Sequence, residues 1–339
     1  MMKKLSIKAT AIISLFVLAI AAQAGTLEDV QKRGKLICGV STGLTGFSAP
    51  DNSGRIQGVD ADVCYAIAAA TLGDSKKVEF VPLNAKERFT SLSSGEVDVL
   101  SRNTTHTLTR DATLGLNFTY YNYIDGQGFL VRKRLGVDSA YKLDGASVCV
   151  QSGTTTELNL ADFFRTNGMK FKPVNFETEL QTLQGFEKGA CDAFTSDKSQ
   201  LAALRTELSD PASAMLLPET ISKEPLGPVV RQGDDAWFNI VKWTLYAMIN
   251  ADEYGVTSKN VEQKRQTSTD PNVRRMLGVE SETGKMLGLA DEWAYNIIKQ
   301  VGNYGESYAR HLEPLGIARK GSVNALWNKG GILYAPPIR

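Results

Sequence analysis

The sequence predicts an α/β fold of two lobes joined by a two-strand hinge, and three observations predict it. Short β-favouring runs alternate with stretches of helical periodicity, the pattern of layered α/β architecture. The order of these elements repeats once along the chain. Two extended segments containing Pro and Gly separate the copies.

In the first copy, residues 35–40 form an apolar strand carrying Cys38. Residues 58–72 read as a helix with Val59, Val63, Ile67 and Ala70 on one face and Gly73 as its stop. A strand over 78–83 follows by alternation, then a helix over 86–94 with Phe89 and Leu92 inward, then a strand over 97–100. The second copy runs in the same order: strand 146–150 with Cys149, helix 156–166, strand 171–174, helix 179–188, and a strand after Cys191. GEVDVLS at 95–101 and GACDAFT at 189–195 share one plan, a helix-stopping Gly, an Asp three residues on, an apolar strand and a hydroxyl.

The segments 123–133 and 222–230 are the crossings. Pro225 and Pro228 forbid a helix in the second. Two antiparallel extended crossings make a hinge. An amphipathic helix over 235–250 and a helical tail over 292–311 follow, and the last stretch, 324–339, is expected to pack on the first half.

Residues 1–24 stand apart. Lys3, Lys4 and Lys8 precede an apolar run, and Ala22-Gln23-Ala24 is a small-x-small site, so a secretory leader cut after Ala24 is expected. The remaining 339 − 24 = 315 residues support two domains of ordinary size. The chain is 42% hydrophobic and 22% charged, a globular balance. Its net charge of +1 includes the three leader lysines, which leaves the exported part near −2 and excludes nucleic acid or an anionic membrane as the main partner. Four Cys in an exported chain predict two disulfides, with three connectivities open.

Polar residues gather where strands end. After strand 97–100 come Arg102, Asn103, Thr104, Thr105, His106, Thr107, Thr109 and Arg110, at the carboxyl edge where open α/β sheets bind ligands. Arg110 offers a planar fork for a carboxylate, and Thr hydroxyls donate to the same oxygens. The competing reading is a solvated loop. In the second copy QSGTTTE, 151–157, lies between strand and helix, where Thr155 is the candidate donor and free helix-start amides suit an anion. Thr154 with Glu157 equally fits a capping box. Asp197 ends the other strand and attracts an ammonium group, unless it caps the next helix. A carboxylate reader and an ammonium reader together match a zwitterionic α-amino acid.

The strings LSRNTTHTLTR (100–110), VQSGTTTE (150–157), ISKEPLGP (221–228), WAYNIIKQVG (293–302) and NALWNKG (324–330) resemble the family 3 solute-binding proteins of ABC-type amino-acid importers, in particular the general L-amino-acid binders. The resemblance spans nearly all of the exported chain. It implies a type II periplasmic-binding-protein fold, with lobe 1 over 25–131, lobe 2 over 132–227 and a return to lobe 1 over 228–339. It implies a periplasmic protein that closes over one amino acid and delivers it to a membrane permease, acting as a monomer without cofactor or metal. By the same resemblance Arg110 reads the ligand carboxylate with Thr105 and Thr155 beside it, and Asp197 reads the ammonium. Asn103 falls where the family often has Ser. Arg88 matches a position that acidic-amino-acid binders use for the side chain, while a second Arg of those proteins is replaced near Ser41; a surface Arg on a helix is the competing reading.

Within two lobes, the pairings Cys38–Cys64 and Cys149–Cys191 leave the hinge free, whereas a cross-lobe bond would oppose closure. The assignable groups read only the ends that all L-amino acids share, so neutral and acidic L-amino acids are expected to bind and D-isomers to be rejected. The enzyme alternative is a secreted lyase or dehydratase on the same scaffold. Against it stand only two His, His106 in the loop and His311 expected at the surface of the tail, and no triad or metal-ligand spacing. An extracellular sensor would use the same cleft; whether loss of the permease abolishes its effect distinguishes it.

Overall fold

Strand Leu36–Val40 pairs in parallel with Val78–Pro82 on one side and Val99–Leu100 on the other. Val229–Arg231 and Leu116–Phe118 extend this sheet with antiparallel pairing. The second sheet repeats the arrangement: Ser147–Gln151 lies between Lys172–Phe176 and Ala193–Asp197, and Gln127–Arg132 and Ala214–Leu216 complete it. These are the two expected lobes, seen in a computed structural model that describes residues 25–339. The leader expected over 1–24 lies outside the described residues. Among the described residues no helix is long and apolar enough to cross a membrane.

The repeated Gly-x-x-Asp signal has a physical basis. Gly95 and Gly189 both take the left-handed conformation that ends their helices, with φ of 80° and 82°. Each Asp then reaches across to the neighbouring parallel strand of its own lobe. The Asp98 carboxylate accepts the Ile37 N–H at 2.7 Å, and that of Asp192 accepts the Ser147 N–H at 2.8 Å. The local echo thus fixes the same strand junction twice.

The hinge is a two-stranded antiparallel ribbon, Tyr123–Asp125 against Glu224–Leu226, with Glu224 directly opposite Asp125. Gln127–Arg132 already belongs to the second sheet, so the chain crosses at Gly126, upstream of the 131/132 boundary expected from the sequence. The reason is that this strand's partners, Ala193–Asp197 and Ala214–Leu216, are both in lobe 2.

Helix Val59–Leu72 differs from its one-faced reading. Every residue but the last is buried, because the helix packs on the first sheet and under helices Asp235–Glu253 and Trp293–Gln300. Its alanines let those neighbours approach closely. The expected tail helix is two helices, Trp293–Gln300 and Tyr304–His311, parted at Gly302 and restarted by an Asn303–Glu306 capping box. The tail packs on lobe 1 and also grips the hinge: the Asn324 amide accepts from the Ile124 N–H at 2.8 Å and donates to its carbonyl at 2.9 Å. Each lobe holds one disulfide, Cys38–Cys64 and Cys149–Cys191, with Cα separations of 6.2 and 5.6 Å.

Candidate ligand-binding site

A small polar cavity lies between the lobes, lined by Arg88, Arg102, Asn103, Thr105, Thr155 and Asp197, with Gln151, Thr154, Thr156, Ser196 and Gln200 completing its wall. Two segments that are far apart in sequence meet here. The loop after Val99–Leu100 brings Arg102 to Thr105, and the start of helix Thr155–Thr166 brings Thr155 to within 3.3 Å of Thr105, hydroxyl to hydroxyl.

The first loop is held by Asp60, near the start of helix Val59–Leu72. Its carboxylate accepts the Asn103 N–H at 2.7 Å and the Asn122 side-chain amide at 2.6 Å. Burial pushes the Asp60 carboxyl up to about 6, and those two hydrogen bonds oppose the rise. Asn103 sits at φ 32°, the one non-glycine residue with positive φ among the described residues. A conformation of this kind costs of order 1–3 kcal/mol and persists where surrounding contacts over-determine it. Here those contacts are Asp60 on the backbone and Arg102 and Gln200 on the Asn103 side chain.

Asp197 ends strand Ala193–Asp197 and is 5% exposed. It makes no side-chain cap to helix Lys198–Arg205, which removes the capping alternative. Its Oδ1 has no hydrogen-bond partner. Burial first, then repulsion from Asp125 and Glu224, holds its carboxyl well above the ordinary range. The two hinge carboxylates are satisfied within the protein: Asp125 by Gly126 N–H and by Ser199, Glu224 by Thr155, Asn159 and Ser222. Of these three carboxylates, the one free to accept from a cation entering the cavity is Asp197.

Arg88 is 3% exposed, not the surface residue of the competing reading. Its Nε has no partner, and Nη1 has only a 3.5 Å contact with the Thr104 hydroxyl. Burial and the nearby Arg110 and Arg102 drive its pKa well below the usual guanidinium value. Arg110 is placed behind the wall. Its Nη1 donates to the Thr105 carbonyl at 2.9 Å and its guanidinium lies over the Phe89 ring, so it does not itself line the cavity. Burial lowers its pKa to about 10 against the opposing pull of Glu224 and Asp197. Thr154 caps the second-lobe helix through the Glu157 N–H, while the Thr155 hydroxyl, on the cavity wall, donates to the Glu224 carboxylate at 2.9 Å.

His106 stacks on Phe118 at 4.4 Å between ring centroids and is absent from the wall. His311 is a correction: its side chain is 9% exposed and sits 3.1 Å from the Asp62 carboxylate, drawn inward by that buried acid. Asp60, Glu179, Gln200 and Glu224 went unrecognised in the sequence. Gln200 alone carried a local signal, lying one helical turn after Asp197 on the same face. Among the described residues no cluster of three or more His, Cys, Asp or Glu could hold a metal ion.

The profile of the bacterial extracellular solute-binding proteins, family 3, matches residues 36–260. The general L-amino acid-binding periplasmic protein AapJ of Rhizobium johnstonii is 56% identical over 326 residues, 95% of each chain. The glutamate/glutamine/aspartate/asparagine-binding protein BztA of Rhodobacter capsulatus is 52% identical over 94% of this chain and 95% of that one. A solved periplasmic binding protein from Brucella ovis with glutathione bound has 51% identity and a TM-score of 0.90, over 94% of this chain and all of that one. With a profile matched across both sheets and relatives similar from end to end, the chain belongs to the bacterial extracellular solute-binding proteins of family 3.

Proposed function

We propose that this protein is the periplasmic substrate-binding component of an ABC-type amino-acid importer, which closes over one L-amino acid and hands it to the membrane permease. Membership of a solute-binding family makes it a binder and not an enzyme. The observation that carries the reading is the pair of buried, unpartnered groups facing one cavity, Asp197 Oδ1 and Arg88 Nε. Buried charged groups are normally paired, so the cavity calls for a ligand bearing both signs.

In this reading the ligand ammonium goes to Asp197, and its carboxylate lies against Thr105 and Thr155. Arg110 supports that end from behind the wall, through its hydrogen bond to the Thr105 carbonyl and the positive charge it places there. Asn103 supplies a polar contact, and Arg88 faces the side chain. Because most of these groups read shared ends, binding is broad across neutral and acidic side chains. The names of AapJ and BztA support breadth of this kind. The Brucella complex favours a second class, γ-glutamyl peptides, since a γ-glutamyl group keeps its α-ammonium and α-carboxylate free.

Calorimetry of the exported chain with the twenty L-amino acids, representative D-isomers and glutathione tests both. Several L-amino acids within a hundredfold of one another, and no D-isomer, is the expected result. Binding of glutathione alone would replace the amino-acid reading, and one L-amino acid favoured more than a hundredfold would refute breadth.

A further inference from the structure

Two guanidiniums line the cavity, and they differ in state. Arg88 is unpaired at Nε, as described. Arg102 donates from all three of its nitrogens: Nε to the Leu83 carbonyl at 2.9 Å, Nη1 to Asn103 Oδ1 at 3.2 Å and Nη2 to Glu179 Oε1 at 2.5 Å. Glu179 comes from the other lobe, at the start of helix Glu179–Glu187, and its second oxygen accepts from the Thr42 hydroxyl at 3.0 Å. Both side chains of the pair are almost completely buried. Among the described residues the other ion pair across the lobes, Lys86–Glu177, is exposed and does not line the cavity. Asp60 is also near Arg102, but its oxygens are taken by Asn103 and Asn122.

We infer that Glu179 is a specificity-determining residue: by neutralising Arg102 across the lobe interface, it leaves the side-chain end of the cavity with one uncompensated cation, Arg88, and so keeps neutral side chains competitive with acidic ones. The inference rests on the amino-acid-binding reading above and deepens it. Glu179 does not line the cavity; it acts through Arg102 and is a positioning residue. Its physical basis is the low dielectric of a closed cleft. There an unpaired guanidinium strongly favours an anionic side chain over its amide, whereas a paired one is nearly indifferent. The same bond forms only when the lobes meet, so Glu179 also contributes to closure. That second role affects all ligands alike and separates cleanly from the first.

The test is calorimetry of L-glutamate and L-glutamine at pH 7 with wild type, Glu179→Gln, Arg102→Met, the Arg102→Met/Glu179→Met double variant and Thr42→Val, each checked for folding by circular dichroism. Glu179→Gln leaves Arg102 uncompensated, and the glutamate-to-glutamine affinity ratio is expected to rise at least tenfold even as both affinities fall. Arg102→Met leaves Glu179 uncompensated and moves the ratio at least tenfold the other way. The double variant returns it toward wild type, and Thr42→Val weakens both ligands without moving it. If either single variant fails to fold, the other together with the double variant decides. Ratios within twofold of wild type in every folded variant would overturn the inference and leave the pair as a closing contact only. Failure of the wild type to bind either amino acid would instead overturn the underlying reading.

Discussion

Asp197 and Arg110 carry the most weight at the residue scale, and their environments differ. Asp197 is orphaned and faces the cavity, whereas Arg110 is anchored behind Thr105. Removing one partner of a desolvated charge pair costs about 2–5 kcal/mol, chiefly because the other charge is left buried alone. Asp197→Asn is therefore expected to weaken amino-acid binding at least a hundredfold, about 2.7 kcal/mol, with unfolding temperature unchanged or raised, since a buried carboxyl is removed. Arg110→Ala is expected to weaken binding comparably but also to lower the unfolding temperature, because the Thr105 carbonyl loses its donor. Calorimetry and thermal unfolding on the same samples separate the two. An Asp197→Asn protein within tenfold of wild type would remove Asp197 from the ammonium role.

At the scale of elements, the hinge decides how the lobes meet. It is short, three residues a side, and each strand is bordered by a glycine that close approach requires. A Cβ on Gly227 would stand 2.0 Å from the Tyr120 carbonyl oxygen, a backbone atom that cannot swing aside. Gly126 is similarly crowded by Thr220 and Ser222. Gly227→Ala is expected to destabilise the fold by about 1–3 kcal/mol, the usual cost of overpacking, measured by denaturant unfolding. An unchanged midpoint would mean that the ribbon shifts freely at this point. The disulfides lie outside the hinge, one in each lobe, where their closed loops of 26 and 42 residues restrict the unfolded chain without tethering lobe to lobe.

Across the whole molecule, closing the lobes couples ligand binding to protonation. Asp197 holds a proton to higher pH than an ordinary carboxyl, because it is buried and faces Asp125 and Glu224 across the hinge, with Arg88 and Arg110 pulling the other way. An ammonium ligand favours the ionised form and lowers that pKa on binding. Where the empty protein is still protonated, binding releases a proton, so affinity rises with pH up to the Asp197 pKa of the empty form and is flat above it. On acidification below that pKa, binding is expected to release up to about one proton per ligand, seen as a dependence of calorimetric enthalpy on buffer, and absent in Asp197→Asn. Affinity that stays level on acidification through this range would show Asp197 already ionised before the ligand arrives.

The sequence by itself determined the two α/β halves, the extended crossings, the binding loops past the strand ends and the candidates Asn103, Thr105, Thr155 and Asp197 on the cavity wall. These are legible because hydrophobic period, turn chemistry and strand-end position are local properties of the chain. Local signals also marked Gly95 and Gly189 as helix ends and the Asp three residues after each. Only the tertiary structure decided which polar groups remain free. Arg102 is neutralised by Glu179, 77 residues away; Arg110 turns to Thr105; His311 is drawn to Asp62, 249 residues distant; and helix Val59–Leu72 is covered between the first sheet and later helices. Whether a charge is paired, buried or available depends on partners brought together by folding and on the water they displace, and neither is written in a residue's own neighbourhood.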